Sequence, residues 1–144
     1  MSSQRVGFWL LEVPDGASVK VDPSDGSHHF DAGPRYIYAV SNLLSAPAGV
    51  SSSAEALHRV MGKREWSYEM SGSDGFGWAT PLPFEDGWYY LRTTREGDAV
   101  FLSCTLSYRV EADLTWALET WRGIKWSPDA SEVALLRRPA KPIA

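Results

Sequence analysis

The sequence contains a single cysteine, Cys104, with three histidines and three methionines among its 144 residues. One thiol closes no disulfide within the chain, so the fold must rest on its core, and a cytoplasmic protein is the expectation. Long apolar runs are also missing. The best candidate, Val6 to Val13, is short and carries Glu12, which excludes a signal or membrane segment by this reading. Neither charge sign dominates: 14 basic and 18 acidic residues give a formal net charge of -4. Dividing the chain near Ser71 leaves that balance even, with no basic or acidic arm. A general nucleic-acid or anionic-membrane binder would need a basic footprint, so both partners are argued against.

Catalytic signatures are absent as well. There is no HExxH, CxxC, Walker glycine loop or GxSxG elbow. Ser73 has Gly75 two residues after it but Ser71 two residues before it, and so lacks the paired glycines of a strained nucleophile turn. Cys104 falls on the apolar side of a strand pattern, where a thiol behaves as a small hydrophobe. The tetrad His28-His29-Phe30-Asp31 is the most chemical-looking stretch, because imidazole and carboxylate can share a proton or hold a metal. On an extended backbone only His29 and Asp31 share a side, with His28 on the other, so any metal would need ligands from elsewhere. No metal and no cofactor are expected. His28, His29 and Asp31 remain the weak catalytic candidates.

Aromatic residues, in contrast, are plentiful. Seven Trp, six Tyr and five Phe make up 12% of the chain, more than a core of this size obviously needs. Hydrophobic residues at 44% and charged residues at 22% suit one globular core. The expected architecture is a single α+β domain over residues 1–136, followed by a loose, basic, proline-containing tail at 137–144. Its largely antiparallel sheet would have five or six strands, with two or three short helices on one face.

Val6 to Val13 reads as a strand leading through Pro14-Asp15-Gly16 into Ala17 to Val21, a hairpin pattern, and Arg35 to Val40 as a third strand. Ser52-Ser53-Ala54-Glu55 has the form of a capping box and predicts a short helix ending near Gly62. Trp66, Tyr68 and Met70 alternate as in a strand. Residues 71–87, with four glycines and two prolines, read as a long packed loop carrying Phe76 and Trp78. Asp113 to Gly123 predicts a helix with Leu114, Ala117, Leu118 and Trp121 inward, although alternation at Leu114, Trp116 and Leu118 also suits a strand. Residues 128–138 are either helix or strand.

The clearest element is a hairpin of Trp88 to Thr94 and Ala99 to Val110 around Arg95-Glu96-Gly97-Asp98, which would pair Thr94 with Ala99 and Leu91 with Leu102. One face then holds Leu91, Leu102, Cys104 and Leu106. The other holds Trp88, Tyr90, Arg92, Phe101 and Arg109. Helices should choose the apolar face, leaving aromatic rings and guanidinium groups outside, which is the composition of interface hot spots. Phe76 and Trp78 would join that surface from the loop, and Trp116 is a separate anchor if its segment is helical.

In size, acidity and lack of catalytic motifs the chain resembles small antagonists such as toxin-immunity proteins and phage-encoded inhibitors. That resemblance is compositional and implies a non-catalytic inhibitor or protein-binding module whose partner is another protein, with homo-oligomerisation left open. The alternative expectation is a small-molecule or glycan binder, or a hydrolase, with a pocket beside 71–87 lined by Trp78, Trp88 and Tyr90.

Overall fold

The computed structural model describes residues 1–43, 67–72, 75–97 and 100–127. Within them the chain forms β1 (Ser2–Val6), β2 (Trp9–Val13), β3 (Ser18–Val21), β4 (His28–Asp31), β5 (Arg35–Leu43) and β6 (Tyr68–Gly72). There follow β7 (Gly75–Glu85), β8 (Trp88–Gly97), β9 (Val100–Tyr108), a 3-10 turn at Glu111–Asp113, helix α1 (Leu114–Arg122) and β10 (Lys125–Trp126). All pairings are antiparallel. They make a seven-stranded sheet in the order β3-β4-β5-β9-β8-β7-β6 and a three-stranded sheet in the order β1-β2-β10. The protein is therefore mostly β, with ten strands and one α-helix among the described residues where five or six strands and two or three helices were expected. The predicted helix from Ser52, Trp66 of the predicted strand, the 128–138 element and the 137–144 tail lie outside the described residues.

Three local readings change. Val6 to Val13 is not one strand, because Gly7, at φ +59°, turns the chain tightly between β1 and β2. Its expected partner, the 18–21 strand, pairs with β4 instead. The 71–87 stretch is not a loop either. Most of it is β7, paired with β6 over Tyr68–Gly72 and with β8 along its length. Pro81 and Pro83 lie beyond the end of β6, where among the described residues β7 has a neighbour on one side only and a missing amide is tolerated. Asp86 (φ +52°) and Gly87 (φ +81°) then form the type I′ turn that joins β7 to β8.

The β8–β9 hairpin exists, but its strands run on through the residues read as its turn. Leu91 pairs with Leu106, Thr93 with Cys104 and Gly97 with Val100. The register differs from the expected one by an even number of residues, so every side chain keeps its expected face. Arg95 is held in the strand because its guanidinium is needed inside: Nη1 donates to the carbonyls of Trp121 (3.1 Å), in the last turn of α1, and Ile124 (2.8 Å), just past its end.

The inner face of the large sheet carries Leu91, Leu102, Cys104, Leu106, Ile37, Ala39 and Phe30. Helix α1 and the small sheet complete this core with Trp116, Ala117, Trp121, Val6, Trp9, Leu11, Val13 and Ile124. Trp121 and Trp9 are fully buried, each contributing roughly 2–3 kcal/mol by the transfer of its apolar surface from water. The inward stripe of α1 is Trp116, Ala117, Thr120 and Trp121, rotated from the expected one, so Trp116 is a core residue and not an exposed anchor. Asp113 does not cap the helix. Its carboxylate instead accepts from Arg35 Nε (3.1 Å) and Nη2 (3.0 Å), tying β5 to the start of α1, while the Arg35 guanidinium lies 4.9 Å from the Trp116 ring.

Candidate functional site

Cross-strand register decides which side chains share the outer face, because residues directly opposite each other point the same way. The row Ser71, Phe76, Glu96, Phe101 crosses β6, β7, β8 and β9. The next row is Glu69, Trp78, Thr94, Ser103. Further along come Thr80, Arg92, Thr105, Tyr38, His29 and Lys20, then Leu82, Tyr90, Ser107, Tyr36 and Asp31. Thus Phe76, Trp78, Trp88, Tyr90, Arg92 and Phe101 do share one face, opposite the helix and the small sheet. The face is not uniform. Trp78, Thr94 and Glu96 are buried, whereas Trp88, Tyr90 and Phe101 are half-buried and Arg92 is exposed.

At the β7–β8 turn the Arg109 guanidinium lies 3.8 Å from the Trp88 ring centroid and donates to the Gly87 carbonyl (3.2 Å). Such a stack holds an arginine and a tryptophan in one geometry at little entropic cost. Phe84, Tyr89 and Tyr108 form a ring ladder at the same end, with centroids 4.6 and 5.5 Å apart. Phe84 and Leu82 stay exposed. This Asp-Gly turn and its apolar tip were missed in the sequence, although Asp86-Gly87 is a strong hairpin signal.

His28, His29 and Asp31 lie on β4, with His29 and Asp31 outward and His28 inward beside Phe30. His29 Nδ1 shares a 2.5 Å hydrogen bond with the Tyr36 hydroxyl, and its Nε2 shares one of 3.1 Å with Ser27 Oγ. Ser27 is itself buried, so this chain ties β4 to β5 and offers no exposed nucleophile. Burial first, then the Asp31 charge, raises the Tyr36 hydroxyl above its ordinary range. Asp31 Oδ1 accepts from the Gly33 amide in a turn. Among the described residues no three His, Cys, Asp or Glu side chains are grouped to hold a metal. Cys104 is buried in mid-strand and its thiol is pushed up to about 12 by desolvation, only partly offset by its hydrogen bond with Thr93.

The expected pocket of Trp78, Trp88 and Tyr90 does not form. Trp78 stands opposite Thr94, which is six residues along β8 from Trp88, or roughly 20 Å of strand. A cavity of about 470 Å³ does open at the Trp78 end, lined by Glu69, Met70, Ser71, Phe76 and Trp78. Phe76 and Trp78 stack there with centroids 6.4 Å apart.

Glu96 is the residue that sequence reasoning missed. It was read as part of a turn, yet its side chain is fully buried and no described group hydrogen-bonds its carboxyl oxygens. Desolvation raises the carboxyl to about 7. No helix among the described residues is long and apolar enough to cross a membrane. The chain matches no known protein-family description and no curated protein.

Proposed function

We propose that the protein is a non-catalytic binding or inhibitor module that engages another protein through the outer face of its large sheet. The observation that carries this reading is the Trp88–Arg109 stack beside Tyr90 and Arg92, all on the face that neither α1 nor the small sheet covers. Rings held in place by their own sheet lose little side-chain freedom on docking, and exposed guanidinium groups can make bidentate contacts with carboxylates. A central tryptophan or tyrosine buried on a partner contributes about 2 kcal/mol or more.

The test is a pulldown from native lysate with immobilised wild type and with Tyr90→Ala/Arg92→Ala, alongside thermal melts of both. A protein retained by wild type and lost from the double variant at unchanged Tm supports the interface. Retention by both chains, or no retained protein together with a rise in Tm caused by a small ligand, rejects it.

A further inference from the structure

The outer face hides a polar defect. Glu96 stands between Phe76 on β7 and Phe101 on β9 in one cross-strand row. Its side chain is fully buried, and no described group hydrogen-bonds either carboxyl oxygen. Two residues along the same strand face, Thr94 buries a hydroxyl that also lacks a partner, directly across from Trp78. Arg95 does not compensate Glu96, because it points to the opposite face and donates to the carbonyls of Trp121 and Ile124. A buried carboxylate with no hydrogen-bond partner and no counter-charge among the described residues costs several kcal/mol, and a group kept in that state needs a reason.

The cavity supplies one. Phe76 and Ser71 belong to the row of Glu96, and both also line the cavity with Glu69, Met70 and Trp78. Glu96 itself does not line the space, which opens about one strand spacing away on the far side of Phe76. Its walls are the exposed ring of Phe76 and the Trp78 ring stacked on it, while Met70, which also lines the space, belongs by register to the inward row of Gly77 and Arg95. Glu69, opposite Trp78, sets a carboxylate at the rim. Aromatic faces and carboxylates solvate an organic cation, and none of these side chains favours an anion. Among the described residues the cations on this face, Lys20, Arg92 and Arg109, lie away from this end. An acidic chain with net charge -4 adds a long-range attraction of the same sign.

We infer that this cavity is a binding site for an alkylammonium group, with Phe76 and Trp78 as its walls, Glu69 as the rim charge and Glu96 as the buried counter-charge. The inference deepens the protein-binding reading and rests on it only for the source of the cation, a lysine side chain carried by the partner. Free amines share the chemistry, and the two sources separate experimentally.

The experiment titrates the ¹⁵N-labelled full chain at pH 8 with n-butylammonium, with Nα-acetyl-lysine methylamide and with n-butanol, following the Trp78 indole and the Gly77 and Glu96 amides by NMR. Both amines should give saturable shifts at these positions, and the neutral alcohol none. Severalfold tighter binding of the lysine derivative points to a chain-borne cation, equal binding to a free amine. Glu96→Gln, a neutral isostere with no buried charge to strain the fold, should weaken amine binding at least tenfold, and Glu69→Gln a few-fold. Phe76→Ala, which removes an exposed ring, gives a second variant with an intact core. Equal shifts with butanol, or undiminished amine binding in Glu96→Gln, overturn the site. Amine binding without any captured protein would remove the partner reading alone, and a captured protein without amine binding would remove the cavity alone.

Discussion

Arg95 and Glu96 are neighbours in sequence but solve opposite problems on opposite faces of β8. Arg95 brings a buried cation to the carbonyls that end α1, where hydrogen bonds and the helix dipole both favour it. Arg95→Met should cost about 2–4 kcal/mol, because the Ile124 carbonyl loses its guanidinium donor and the Trp121 carbonyl keeps only the Ile124 amide, while Arg122→Ala on the exposed side of α1 should change stability by less than about 0.5 kcal/mol. Urea unfolding of the two variants checks the contrast. Glu96 has no such reward. Its carboxyl titrates near 7 in the folded chain against an ordinary value of 4.5, so between these values the native state binds more protons than the unfolded one. Stability therefore falls as pH rises from about 4.5 through 7 and is flat above. The loss is of the order of 2 kcal/mol after allowance for solvent screening. Glu96→Gln should abolish that slope and leave the protein more stable than wild type at pH 8. Melts at pH 5, 6, 7 and 8 read it directly, and parallel curves for the two chains would show that Glu96 is ionised at no cost.

The elements divide by how local their signals are. The β7–β8 hairpin depends on two consecutive positive φ angles at Asp86 and Gly87. Gly87→Ala meets both an unfavourable backbone and the Arg109 guanidinium, which would lie 2.8 Å from the new carbon. It should cost about 1–2 kcal/mol and unstack Trp88, seen as a change in near-ultraviolet circular dichroism. The signals that sequence reading captured were equally local: alternation in β5, β6, β8 and β9, the helical spacing of α1, and its stop at Gly123. Side-chain parity on the outer face was legible because an even register slip preserves it. What escaped depends on distant partners. Prolines at 81 and 83 signal a loop unless it is known that β6 ends before them, and Arg95-Glu96-Gly97 looks like a turn unless the end of α1 is known to need a guanidinium. Trp116 faces inward because Arg35 and the core receive it, which helical spacing alone does not reveal. The cavity at Phe76 and Trp78 was invisible for the same reason, since it exists only once residues 75–79 are paired on both sides.

At the scale of the molecule, the two faces of the seven-stranded sheet carry different jobs, and the outer one is itself graded. The inner face is closed by α1 and the small sheet, and Leu106→Ala there should cost about 2–5 kcal/mol by cavity formation. On the outer face Trp78 is buried, and Trp78→Ala should be of similar severity, about 3–5 kcal/mol. Arg92 and Tyr90, one and two rows further along, are exposed and half-buried, so Tyr90→Ala/Arg92→Ala should shift stability by less than about 1 kcal/mol. Denaturant unfolding of the three proteins under one buffer reads this gradient. A fold that tolerates loss of its outer aromatic residues keeps them for something other than folding, and where that holds, at Tyr90 and Arg92, the face is open to the same partner whose lysine would enter the cavity at Phe76 and Trp78. Were the double variant as damaged as Leu106→Ala, Tyr90 and Arg92 would belong to a second core, and the interface would have to be sought at the Leu82–Phe84 tip instead.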